Sequence, residues 1–133
     1  MDPAQINWFA VLAATLWAFV LGGLWYSPLM FYKPWLGALG GDEAALRAGA
    51  GRVFAGAIAC AAIASVNLAF FIGPKDGVAF GAFAGFAAGF GWVATGLCTT
   101  YLFERRPARL ILIDAGYHVV SLTGMGALLG LWR

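Results

Sequence analysis

The chain has 133 residues, of which 62% are hydrophobic, 16% aromatic and only 11% charged, with a formal net charge of +2 and a mean hydropathy of +0.84. A soluble domain carries roughly a quarter of charged residues, so too little polar surface is present to cover a water-soluble globule. No basic run is interleaved with aromatics, which argues against a nucleic-acid partner, and Cys60 and Cys98 lie singly inside apolar runs, where they read as small buried residues.

Four apolar runs, at about 7–26, 53–72, 78–103 and 110–132, each reach the roughly 20 residues an α-helix needs to cross the hydrocarbon core. They are continuous rather than alternating, which favours helices over barrel strands. The composition and spacing therefore predict one all-α domain over residues 1–133, an integral membrane bundle of four transmembrane helices. The N-terminal "MDPAQIN" has no Lys or Arg, so the first run reads as a retained helix rather than a signal peptide.

The connections differ in length. Loop 1, residues 27–52, contains Pro28 and Pro34, which stop the first helix from continuing. Within it Asp42 is placed to N-cap a short helix beginning "EAALRA", and Tyr32 and Trp35 suit headgroup depth, so part of this loop is expected at the interface. Loop 2, "GPKDG", reads as a tight turn, and loop 3, "ERRPAR", is short and basic. With four spans, loops 1 and 3 share a side that holds Lys33, Arg47, Arg52, Arg105, Arg106 and Arg109. The other side holds Lys75 and Arg133. Positive charge marks the cytoplasmic side, so both termini are expected to face out.

The fourth run carries the chemistry. Asp114 and the single histidine, His118, are spaced i and i+4, so they share a helix face. Ser121 continues that face and Tyr117 flanks it. At ~1.5 Å per residue, Asp114 lies about 7 Å beyond Arg109 and His118 about 13 Å. Tyr26, Ser27, Thr99, Thr100 and Glu104 fall at similar depth, and together these residues are candidates for a polar inner vestibule. A carboxylate facing lipid costs a few kcal/mol or more, so this face is expected to point into the bundle or a wet cavity. Two arrangements are open. Asp114 pairs with His118, as an ion pair or as a hydrogen bond that orients the imidazole. Alternatively it ties loop 3 to the last helix by meeting Arg105, Arg106 or Arg109. Metal ligation would need a third group such as Cys98 or Glu104, and no second motif supplies it. An Asp114–His118–Ser121 hydrolase triad lacks any oxyanion-hole signature. No metal or cofactor is expected.

Gly77, Gly81, Gly85 and Gly89 recur every four residues along the third run and make a smooth groove for close helix approach. The groove serves either packing within one bundle or a homodimer interface. The first helix with its loop also weakly echoes the third: each ends in aromatics followed by a basic, proline-containing turn.

"LGGLWYSPLMFYKPW" after the first apolar run, together with "TTYLFERRPARLILIDAGYHVVSLTGMGALLGLW" at the end, resembles domain-of-unknown-function family 1761. The resemblance covers nearly the whole chain. It implies a small multi-helix protein of the bacterial inner membrane and assigns no activity. From the residues, the leading function is transport or channel-like passage of a proton, ion or small solute through the inner vestibule. The rival is a scaffold, assembly partner or lipid-binding module that uses the basic loops. A membrane enzyme ranks third. Membrane lipids and a second copy of the chain are the expected partners.

Overall fold

The computed structural model describes residues 2–73 and 77–132, and these form helices and their connections with no strand among them. The spans are α1 (Trp8–Trp25), α4 (Ala50–Ile72), a third span built from α5 (Val78–Ala88), a π-helical turn (Gly89–Ala94) and α6 (Thr95–Phe103), and α7 (Ala108–Leu131). Each is long and apolar enough to cross a membrane. Phe9, Leu12, Phe83, Phe90, Leu102 and Leu112 face outward, as expected of helices solvated by lipid. The chain is an all-α membrane bundle.

Local signals set the helix ends. The Asn7 side chain accepts from the Phe9 and Ala10 amides and caps α1. Loop 1 holds two short helices, α2 (Tyr32–Leu39) and α3 (Glu43–Arg47). α2 was not apparent in the sequence because Pro34 reads as a breaker. Pro34 sits in its first turn, where the backbone N–H has no intrahelical partner in any case. α3 begins where expected, with Asp42 accepting from the Ala44 amide. α4 and α7 start two to three residues before the hydropathy predicts, after Gly49 in a left-handed conformation and after Pro107. Arg52 and Arg109 therefore lie in first helical turns. The expected loop 2 turn falls mostly on residues 74–76, and Lys75 and Arg133 also lie outside the described residues.

α7 is central and uses glycine on two faces. On one, Gly126 and Gly130 meet Gly81, Gly85 and Gly77 so closely that a Cβ added at Gly81 would overlap the Gly126 carbonyl, and one at Gly85 the Leu122 carbonyl. The Gly77 amide donates to the Gly130 carbonyl at 3.0 Å. The glycine row of the third span is thus filled within one chain and is not free to join two copies. On the other face, Gly124 leaves room for the Trp17 indole and Gly116 for that of Trp25. The two indoles donate to the Ser121 and Ile113 carbonyls, each at 3.0 Å. In lipid such packing and interhelical hydrogen bonds hold helices together, because no hydrophobic drive separates them from the solvent.

The third span keeps one line of residues toward α7 over its whole length. An i+4 row on an α-helix drifts about 40° per step. Gly85, Gly89, Val93, Leu97 and Tyr101 lie on one such row, and the wider π turn in its middle takes back part of the drift. Gly89 and Gly91 provide a turn with little side-chain crowding, and the Thr95 hydroxyl donates to the Gly91 and Trp92 carbonyls at 2.8 and 3.1 Å.

α4 packs over only half its length. Ser65, Leu68, Ala69 and Ile72 are buried, and Ser65 donates to the Val11 carbonyl of α1 at 3.0 Å. From Gly51 to Cys60 every residue is exposed. Cys60 therefore faces outward, correcting the expectation that it is buried. The bundle is solid at the end where α1 begins and α7 finishes, and open at the end where loops 1 and 3 lie.

Gly81→Ala and Gly85→Ala should each destabilise the protein by about 1–3 kcal/mol through forced separation of α5 and α7. Gly96→Ala, whose Cβ would meet nothing, should be near neutral. Thermal unfolding in mild detergent checks this. Equal stability of all three variants would mean that the glycine row does not carry the packing.

Candidate functional site

The open end of the bundle encloses a cavity of about 590 Å³ between α1, α2, α4, α6 and α7. Phe19, Gly22 and Gly23 of α1, Val53, Phe54, Ala57 and Ala61 of α4, and Leu97 of α6 make most of its wall. Its polar wall is Tyr26, Tyr101, Asp114, Tyr117 and His118, with Trp35 of α2 alongside. The space lies beside the first half of α4, whose residues from Gly51 to Cys60 are all exposed.

Asp114 is the polar centre. It is only 8% exposed. The Tyr26 hydroxyl donates to its Oδ1 at 2.7 Å, and the Tyr101 hydroxyl to its Oδ2 at 2.8 Å. The carboxylate thus ties the end of α1 and the end of α6 to the start of α7. Both oxygens are occupied by phenols, so the two arrangements expected from the sequence are corrected. His118 makes neither a hydrogen bond nor an ion pair with Asp114 among the described residues, and no arginine reaches it. A phenol at the tip of a long rigid ring reaches the carboxylate from a neighbouring helix. A histidine on the same helix points one turn further along the cavity.

His118 is half-buried, and its ring meets that of Tyr117 edge-on at 5.1 Å. The Tyr117 hydroxyl donates to the Ala18 carbonyl at 2.8 Å, and its ring lies 5.6 Å from that of Tyr26. Trp35 packs edge-on to Tyr26 at 5.3 Å, so the loop 1 helix closes one side of the site. Within loop 1, Trp35 thus packs against the end of the bundle.

The remaining candidates do not join this site. Ser121 is 4% exposed and lies beyond the cavity, between α1 and α7. With Asp114 held by tyrosines, no Asp–His–Ser relay forms. Thr99 and Thr100 are exposed and donate back to the Thr95 and Gly96 carbonyls of their own helix. Ser27 donates to the Leu24 carbonyl at 2.6 Å, and Glu104 pairs with Arg106 at 3.4 Å in the exposed loop. Arg105, Arg106 and Arg109 are exposed at the rim, and Arg105 takes a left-handed φ of 60° as the chain turns toward α7. Among the described residues, no three metal-type side chains come together.

The sequence reading missed Tyr101, which stands between two threonines and a glutamate that it selected. The signal was present in the echo between the first and third spans. Tyr26 ends the first in "LWY" and Tyr101 nears the end of the third in "TTY". The two tyrosines reach the same carboxylate.

Tyr26→Phe and Tyr101→Phe should each cost about 1.5–3 kcal/mol, the worth of a hydrogen bond to a charged group. In a double-mutant cycle each loss should largely vanish when Asp114 is already alanine. Denaturant unfolding in detergent measures both, and additive losses would show that the phenols act elsewhere.

No curated protein and no solved structure matches the chain. A family model described as "Protein of unknown function (DUF1761)" matches residues 9–130, nearly the whole chain and every helix that builds the cavity. This four-span membrane protein therefore belongs to the DUF1761 family, whose function is unknown.

Proposed function

We propose that the protein binds a small amphiphilic molecule in the cavity between α1, α4, α6 and α7. The observation that carries this reading is the cavity itself: about 590 Å³, apolar over most of its wall, with convergent polar groups at one side. Ligand sites are typically of ~300–1,000 Å³ and built in this way. The charge rule puts the open end, with Lys33, Arg47, Arg52, Arg105, Arg106 and Arg109, on the cytoplasmic side. A bacterial inner membrane fits that assignment.

Passage of a proton, ion or solute is the second reading. It is favoured by the presence of Asp114 and His118 on the wall of a cavity at the loop 1 and loop 3 end of the bundle. Beyond them Ala10, Ala14, Leu68, Leu122 and Met125 fill the bundle, so passage requires the packed half to move. The binding reading requires no such step, and is preferred for that reason.

A diazirine-bearing fatty alcohol, which is neutral, tests the binding reading in lipid nanodiscs. Saturable photolabelling of Phe19, Phe54 and Leu97, lost in Ala57→Trp, is the expected result. Unsaturable labelling spread over Leu12, Phe83 and Phe90 would overturn it. For passage, proteoliposomes should dissipate a pH gradient in a manner abolished by Asp114→Asn and His118→Ala. Flux equal to that of empty liposomes would remove the proton from consideration.

A further inference from the structure

We infer that the cavity selects a hydrophobic monovalent cation, bound beside Asp114 and against the surrounding aromatic rings. The inference rests on the binding reading above and names its ligand class.

Three observations carry it. First, Asp114 accepts a phenolic hydrogen at each oxygen. Two phenolic donors are the partners that suit an acceptor-only carboxylate. Second, no cationic side chain among the described residues forms an ion pair with Asp114. Among the described residues no lysine or arginine lines the cavity: Arg106 lies over the Tyr101 ring at 5.9 Å and pairs with Glu104, and Arg47 pairs with Glu43 in loop 1. His118 faces the cavity without an ion pair to Asp114. Phenol hydrogen bonds satisfy the oxygen lone pairs and leave the net charge in a poorly solvated place, where an opposite charge gains most. Third, the wall beside the carboxylate is aromatic. Tyr26, Trp35 and Tyr117 border the site with Phe19 and Phe54, beside Tyr101, whose ring already meets Arg106. Ring faces attract cations, and desolvated aromatic cages hold quaternary ammonium groups.

The volume and the walls set the rest of the ligand. About 590 Å³ exceeds what a bare metal ion or ammonium needs, and the apolar wall repays burial of hydrocarbon rather than of hydrated charge. A delocalised or quaternary cation carrying aromatic or alkyl groups meets both demands. An anionic amphiphile of the same shape meets the walls and is repelled by Asp114. The basic residues of loops 1 and 3 lie at the rim and not on the lining, so they bear on entry more than on the bound state.

Tetraphenylphosphonium and tetraphenylborate have the same shape and opposite charge, which makes the test direct. Binding of each, radiolabelled, is measured by scintillation proximity on the full chain in nanodiscs, with empty nanodiscs as background. The expected result is saturable binding of tetraphenylphosphonium at least about tenfold tighter than of tetraphenylborate. Asp114→Asn should erase that preference, and Asp114→Glu should restore part of it. Ala57→Trp, which adds an indole to the α4 wall of the cavity and keeps Asp114, should abolish cation binding even if Asp114→Asn fails to fold. Equal binding of the two ions by the wild type, or unchanged cation binding in a folded Asp114→Asn, overturns the inference. Saturable labelling by the neutral fatty alcohol without cation binding also overturns it, while leaving the binding reading intact. Absence of both sinks both.

Discussion

The contact between α5 and α7 sets the terms for everything else in this bundle. Lipid gives apolar helices no reason to leave it for one another, so association depends on how closely backbones approach. Glycines on both sides bring two backbones together until carbonyl oxygens occupy the space side chains would take. α7 then becomes the reference element. α1 docks on its other face through tryptophans seated over Gly116 and Gly124, and α4 docks on α1 through Ser65. The first half of α4 is held by less, an edge-on contact of Phe54 with Phe19, and its Val53, Phe54 and Ala57 border the cavity. The open space is a consequence of where the small residues stop.

A carboxylate in such a setting has few ways to be satisfied. Asp114 accepts two hydroxyls from two other spans, and in doing so closes the open end of the bundle around itself. The arrangement is structural and chemical at once. It positions α1 and α6, and it leaves a carboxyl group beside an aromatic, mostly apolar space. Loop 1 contributes as well, since α2 carries Trp35 onto Tyr26 and so adds a wall that no transmembrane span provides.

Much of this was legible in the residues. The four spans follow from hydrophobic run length alone, because the requirement to bury backbone polar groups in lipid leaves little alternative. The glycine row announced close approach, and its partner helix was not readable, since Gly126 and Gly130 offer the same spacing as any second copy would. Asp114 stood out because charge is costly at that depth. Its partners did not, because i,i+4 adjacency favoured His118, whereas contacts across helices depend on crossing geometry. Tyr101 was hidden for a related reason: its direction depends on a π turn that neither Gly89 nor Gly91 announces by itself. α2 was obscured by Pro34, which breaks helices in their interior and fits them at their start.

The π turn gives the third span one residue of slack. Its six residues, Gly89–Ala94, are not among those that line the cavity. A π turn holds one residue more than the α-helical turn it replaces, and its smaller rotation per residue cancels the roughly 100° that the extra residue would add. Loss of one residue there would let the segment relax to an ordinary α-helix and leave Tyr101 facing the carboxylate. Loss of a second would exceed that slack and turn Tyr101 away by about 100° while every residue of the polar wall stayed chemically intact. A chain of the same family one residue shorter at the π turn would therefore keep the geometry of the site together with its parts.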